Sequence, residues 1–235
     1  MARAILLVLL LLTPASAWAQ SCPAQLGDAR KLVLVVADTM SSNTATLWRF
    51  ERTSADAAWT RVGRPESALI GYRGIAWAPS FRGYARPGEP IKTEGDKRNP
   101  GGVFPIGRPF GFAASHDPNY VHIVDGTVCV DDPSSLAYNT ITTRGQVGTK
   151  VHAENMWRAQ SYRRGLLVDY PTDAKARAGS CIFIHLRLPS ATGTAGCVAL
   201  PEPQLVGLQA FAQSGAVLAV LPKQAMPRFK GCLPN

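Results

Sequence analysis

Five cysteines follow what reads as an export leader, and together these features restrict the chain more than anything else in its 235 residues. Arg3 supplies a positive start, Ile5 to Leu12 is an unbroken apolar run of eight, and Ala17-Trp18-Ala19 has the small-x-small form of a cleavage site. Eight apolar residues cannot cross a bilayer, which takes ~20, so residues 1–19 read as a signal peptide rather than an anchor. The expectation is an exported protein, periplasmic or wall-associated, with no integral membrane segment after cleavage. Structural cysteines pair in such a compartment, and an odd number leaves one thiol over. Cys22 and Cys232 lie near the two ends of the chain, which in single domains are often close in space. With Cys197, the cysteine of the Gly196-Cys197 turn, taken as the free thiol, Cys129 and Cys181 pair by elimination; four cysteines allow three connectivities, so this is one of three. No two cysteines have the close spacing of a zinc ligand pair, and no metal is expected.

No repeat or low-complexity linker divides residues 20–235, which therefore read as one domain. With 21 glycines and 18 prolines the chain is no helical bundle, and short strands joined by loops are the natural alternative. Lys31 to Asp38 is a continuous apolar strand, Ser41-Ser42-Asn43 a turn, and Thr44 to Glu51 its hairpin partner. Trp59 to Val62 and Tyr120 to Val124 read as further short strands. Tyr84 to Gly102 reads as a long surface loop entering a tight turn at Val103 to Gly107, and Ala153 to Gln160 as a short helix. Cys181 to Leu188 is a strand. Pro201-Glu202-Pro203 opens a helix that places Leu205, Leu208 and Phe211 on one face, and Ala216 to Leu221 closes the fold. The sum is a mainly β chain with short helices (α+β), a β-sandwich or open barrel.

Alternation along Cys181 to Leu188 puts Ile182, Ile184, Leu186 and Leu188 on one face and Cys181, Phe183, His185 and Arg187 on the other. The aliphatic face claims the core, so His185 belongs to the accessible side. A short Gly/Pro-containing loop then leads to Thr194-Ala195-Gly196-Cys197. A glycine before a cysteine in a turn lets the backbone approach a substrate, with N–H groups free to meet a developing oxyanion. Taken together, the two pieces describe a thiol activated by a neighbouring base, which would draw its pKa below the usual ~8.5.

The stretch from His185 to Leu200 resembles the catalytic signature of the L,D-transpeptidase family: a strand histidine, a loop, then Thr194, Gly196, Cys197 and the apolar Val198. Glu94-Gly95-Asp96 followed by Asn99-Pro100-Gly101-Gly102-Val103-Phe104 is similar to that family's loop before its Thr-Pro-x-Gly-x-Phe segment. Gly71 to Trp77, Cys129 to Asn139 and Gly179 to His185 are also alike, so the resemblance covers roughly Leu32 to Leu221. It departs at Leu186, where many members have Gly, at Ala195, where many have His, and at Ala199, where many have a substrate-holding Arg. The resemblance implies a cofactor-independent cysteine acyltransferase of that fold, acting on peptidoglycan stem peptides as a monomer. Cys197 would be the nucleophile and His185 the base, with Gly196 and Cys197 N–H groups as oxyanion donors. Thr194, Arg187, Phe183 and Asp132 would be substrate contacts. A carboxypeptidase or amidase using the same thioester, and a wall-binding module without turnover, are the rivals.

The remaining candidates carry less chemistry. Asp131 and Asp132 form a carboxylate pair that more commonly caps a turn before Pro133. His152 and Glu154 share a face if their segment is a strand and would then line a cleft, or they mark a solvated helix start. Lys92 and Lys97, in the long loop, would meet wall carboxylates or simply water. The net charge of +9 attracts polyanions. However, there is no basic block, zinc-finger spacing or recognition-helix pattern, so nucleic acid is not the expected partner.

Overall fold

In a computed structural model, residues 22–173, 175–213 and 215–234 are described. The signal peptide expected at 1–19 lies outside them. The chain forms β1 (Lys31–Ala37), β2 (Thr44–Glu51), β3 (Thr60–Leu69), β4 (Ile75–Trp77) and a long β5 (Asn99–Gly111). The excursion that follows contains β6 (Val121–His122), β7 (Thr127–Val130), β8 (Ile141–Thr143), the single-turn α1 (Arg144–Val147) and β9 (Ala153–Asn155). The chain then returns as β10 (Arg164–Val168), β11 (Phe183–Leu186), β12 (Val198–Leu200), α2 (Glu202–Ala212) and β13 (Ala216–Pro222).

Eight strands close on themselves in the order β10-β11-β12-β3-β2-β1-β13-β5, with β5 pairing back onto β10 through Gly165↔Phe110. The fold is therefore mainly β with few helices, and its large sheet is a closed barrel rather than a sandwich or an open one. Closure gives every strand of the ring a neighbour on each side and so shortens the free edge of the sheet. The barrel is thinnest between β12 and β3, joined at the one pair Ala199↔Leu69. At its centre β1 and β13 run parallel, Lys31↔Ala216 to Ala37↔Pro222. Both are near-continuous apolar runs, as strands covered on both faces must be. Helix α2 lays Leu205, Leu208 and Phe211 on the same main core, which also holds Ile182, Ile184 and Leu186 of the β11 segment.

Three segments differ from the sequence expectation. Strand β3 runs to Leu69, well past Val62. The expected surface loop and turn at 99–107 is instead the first part of β5, buried from Asn99 to Phe104. Its glycines are there for close approach rather than for turning: a Cβ on Gly102 would lie 2.4 Å from the Phe81 ring, with φ at +147°. Residues 153–160 form β9 and a 3₁₀ turn, Met156–Arg158, followed by the start of another at Gln160–Tyr162.

Strands β8-β7-β9 make a separate small sheet. Its β7 contributes Cys129 to a second apolar cluster on the other face of β11, formed with Phe110, Ile123, Met156, Tyr162, Phe183, Cys181 and Cys197. Cys129 on β7 is bonded to Cys181 just before β11, Cα–Cα 6.0 Å, and Cys22 to Cys232, Cα–Cα 5.3 Å. Cys197 is the free cysteine among the described residues.

The Cys22–Cys232 bond spans 210 residues and so removes much of the freedom of the unfolded chain. Replacing both cysteines by serine is expected to lower the unfolding free energy by about 2–5 kcal/mol. Urea unfolding of the two proteins measures it, and an unchanged midpoint would contradict the prediction.

Candidate active site

Cys197 is 6 % exposed and sits immediately before β12. Its Sγ accepts the Phe183 N–H at 3.3 Å and donates to the Cys181 carbonyl at 3.4 Å. Burial pushes this thiol up to about 12; the nearby Glu154 carboxylate adds to the rise, while the Phe183 N–H and the Lys92 cation oppose it. The lowered thiol pKa expected from the sequence is not what the fold produces. Desolvation outweighs the favourable contacts, and the resting group is a neutral thiol.

His185 is likewise no exposed-face histidine. It is 9 % exposed, because the side of β11 that alternation left open is roofed by the second cluster. Burial draws its pKa below the ordinary value, and the bond to Leu186 only partly resists this. Nδ1 lies 2.9 Å from the Leu186 carbonyl oxygen. A carbonyl only accepts, so Nδ1 carries the proton and the lone pair resides on Nε2. Neither hydrogen bond of the Cys197 sulfur is to the imidazole, but both residues line one pocket of about 430 Å³.

The Thr194–Cys197 turn is tied by its own side chains. Thr194 Oγ1 donates to the Cys197 carbonyl at 2.6 Å and accepts the Gly196 N–H at 3.1 Å. The hydroxyl is thus spent on the turn, and Gly196 is not an open oxyanion donor. Gly196 itself is required here: at φ +150° an added Cβ would lie 2.9 Å from the Arg98 carbonyl oxygen.

The other expected substrate contacts disperse. The Phe183 ring packs edge-on against Phe110 and Tyr162 and does not line the pocket; Phe183 reaches the site through its backbone N–H. Arg187 lies past the end of β11, also outside the pocket lining, with its N–H on the Leu200 carbonyl. Asp132 accepts the Ser134 N–H and Oγ–H and the His152 N–H, bonds that lower its pKa and mark it as a turn cap. Lys92 is 3 % exposed and ion-paired with Asp96 at 2.6 Å rather than offered to a polymer, whereas Lys97 does line the pocket.

Tyr162 and Asn99 carried too little signal in the sequence, whereas Glu154 was legible on the strand reading of its segment. Tyr162 presents its ring edge-on to His185, centroids 5.4 Å apart, and donates from its hydroxyl to Glu154 at 2.8 Å. Glu154 reaches the pocket from the small sheet, as the strand reading of its segment allowed, and its desolvation raises its pKa. Asn99 donates from Nδ2 to the Gly196 carbonyl at 2.6 Å; it stood in the segment resembling the family loop but had no assigned role. The pocket wall also holds Glu94 and Asp131, and His152 is bonded to the latter. Among the described residues no group of three or more His, Cys, Asp or Glu side chains is placed to hold a metal ion. No helix among them is long and apolar enough to cross a membrane.

Comparison with models of known protein families, with curated proteins and with solved structures finds no match to this chain.

The depressed His185 pKa sets the sign of a pH effect. As pH falls below the ordinary value of ~6.5, the unfolded imidazole takes a proton before the folded one does. The stability tied to neutral His185 is therefore complete above that value and is lost as pH falls toward the lower, folded pKa. Urea unfolding near neutrality and in mild acid should show the wild type losing more stability than His185→Gln over this interval. Equal losses would show that the imidazole is not held neutral by the fold.

Proposed function

We propose that this protein is an exported cysteine acyltransferase acting on peptidoglycan stem peptides, with residues 20–235 forming one catalytic domain of the L,D-transpeptidase type. The observation that carries the reading is the free thiol of Cys197 and the Nδ1-protonated imidazole of His185 in the wall of a single pocket. The paired cysteines are in keeping with an oxidising compartment.

Both groups start neutral, so the thiol proton leaves as attack begins. Sγ adds to the substrate carbonyl carbon while its proton passes to Nε2 of His185. The imidazolium then gives that proton to the departing amine of the terminal D-alanine, leaving a thioester. An acceptor amine, or water, attacks the thioester carbon and loses its proton to the same nitrogen; the C–S bond breaks and the imidazolium returns that proton to the Cys197 sulfur. The Cys197 N–H faces the oxyanion, since the Gly196 N–H is committed to Thr194. Separating charge in a dry site is opposed by desolvation, but once formed the imidazolium and oxyanion interact strongly there.

Resolution by water is the second reading. Ala199 in the pocket wall offers no guanidinium to hold a peptide carboxylate.

Incubation of the pure protein with defined tetrapeptide muropeptides, read by mass, tests both. Dimers are expected from transfer and trimmed monomers from hydrolysis, and Cys197→Ala should abolish either. His185→Gln should reduce turnover by about 10²-fold or more while the fold survives. Absence of any product from the wild type, or full activity of Cys197→Ala, would overturn the proposal.

A further inference from the structure

Asn99 is 1 % exposed and opens β5, a strand none of whose residues lines the pocket. Its Nδ2 donates to the Gly196 carbonyl, 97 residues away in sequence, while its Oδ1 is buried with no partner. A carbonyl accepts and does not donate, so the amide nitrogen must face Gly196. An unpaired buried acceptor is destabilising, and an apolar side chain of this size would avoid it. What the amide adds is that one donated bond. Nor is the bond needed to hold the turn in place, because the Thr194 N–H donates to the Ile70 carbonyl and the Thr194 carbonyl accepts the Tyr72 N–H.

The bond fixes a direction. In a trans peptide the carbonyl and the following N–H point opposite ways. Gly196 and Cys197 line the pocket and Asn99 does not, so holding the carbonyl on Asn99 turns the Cys197 N–H toward the pocket side. That N–H donates to no group among the described residues, in contrast to the Gly196 N–H. We propose that Asn99 is a positioning residue that aims the Cys197 N–H, a backbone donor without a partner at this turn, at the oxyanion of acyl transfer. The inference rests on the acyl-transfer reading above.

Two reagents that meet the same thiol separate aiming from mere support. With p-nitrophenyl acetate, the Sγ–carbonyl carbon bond forms, the ester C–O bond breaks, p-nitrophenolate leaves and the thiol proton goes to His185. With iodoacetamide, the Sγ–CH₂ bond forms and iodide leaves with no oxyanion at any stage. Asn99→Leu and Asn99→Asp are expected to slow acetylation of Cys197 by about 10²-fold while leaving alkylation at the wild-type rate. For Asn99→Asp, the acetylation rate relative to wild type should recover toward acid pH, where the buried carboxyl is protonated and donates again. If acetylation and alkylation fall together, or neither falls, Asn99 does not aim the N–H and the inference is overturned. If wild-type Cys197 is alkylated but never acetylated, the acyl-transfer reading itself fails, and this inference with it.

Discussion

Desolvation sets the protonation of Cys197 and His185, and it follows from β11 being covered on both sides. One face of the strand segment gives Ile182, Ile184 and Leu186 to the barrel core, and the other meets the cluster built on Phe110, Tyr162 and Phe183. A charge on either functional group must be created where water is largely excluded. The thiol is accordingly held up at about 12 and the imidazole below its ordinary value. Two shifts in these directions keep the proton on sulfur and the lone pair on nitrogen at rest. Such a pair suits a reaction in which proton transfer accompanies attack, rather than one that stores a thiolate.

The surroundings hold that arrangement from several directions. The Cys129–Cys181 bond joins the small sheet to the residue whose carbonyl receives the Cys197 S–H. Thr194 bonds two backbone groups of its own turn, and Asn99 takes a third from β5. Glu154 and Tyr162 reach the pocket from the excursion between β6 and β10 and face it with a carboxyl and an aromatic edge. Cys197 therefore sits where barrel, small sheet and turn meet. That junction is beside the β12–β3 seam, the most weakly paired part of the barrel.

What the sequence made legible was local. The apolar runs of β1 and β13, the β1–β2 hairpin and the Leu205–Leu208–Phe211 face of α2 all follow from periodicity within a few residues. Alternation along β11 also separated its two faces, but it carried no information on what would cover the second. That cover comes from residues 20 to 75 positions earlier, so His185 read as accessible and its thiol partner as acidified. Strand β5 was hidden for a different reason: its glycines and prolines carry the composition of a loop, whereas Gly101 and Gly102 serve close approach to Ile75 and Phe81. Asn99 and Tyr162 are single residues of ordinary type whose roles exist only once distant segments meet.

The central claim is that the fold keeps Cys197 and His185 as a neutral pair. Nitrogen NMR of the His185 ring together with carbon NMR of the Cys197 β-carbon reads both protonation states directly in the folded, unliganded protein. Near neutral pH the account predicts a neutral imidazole protonated on Nδ1 beside a protonated thiol, with the thiol ionising only in strong alkali. An imidazolium–thiolate pair under the same conditions would contradict it.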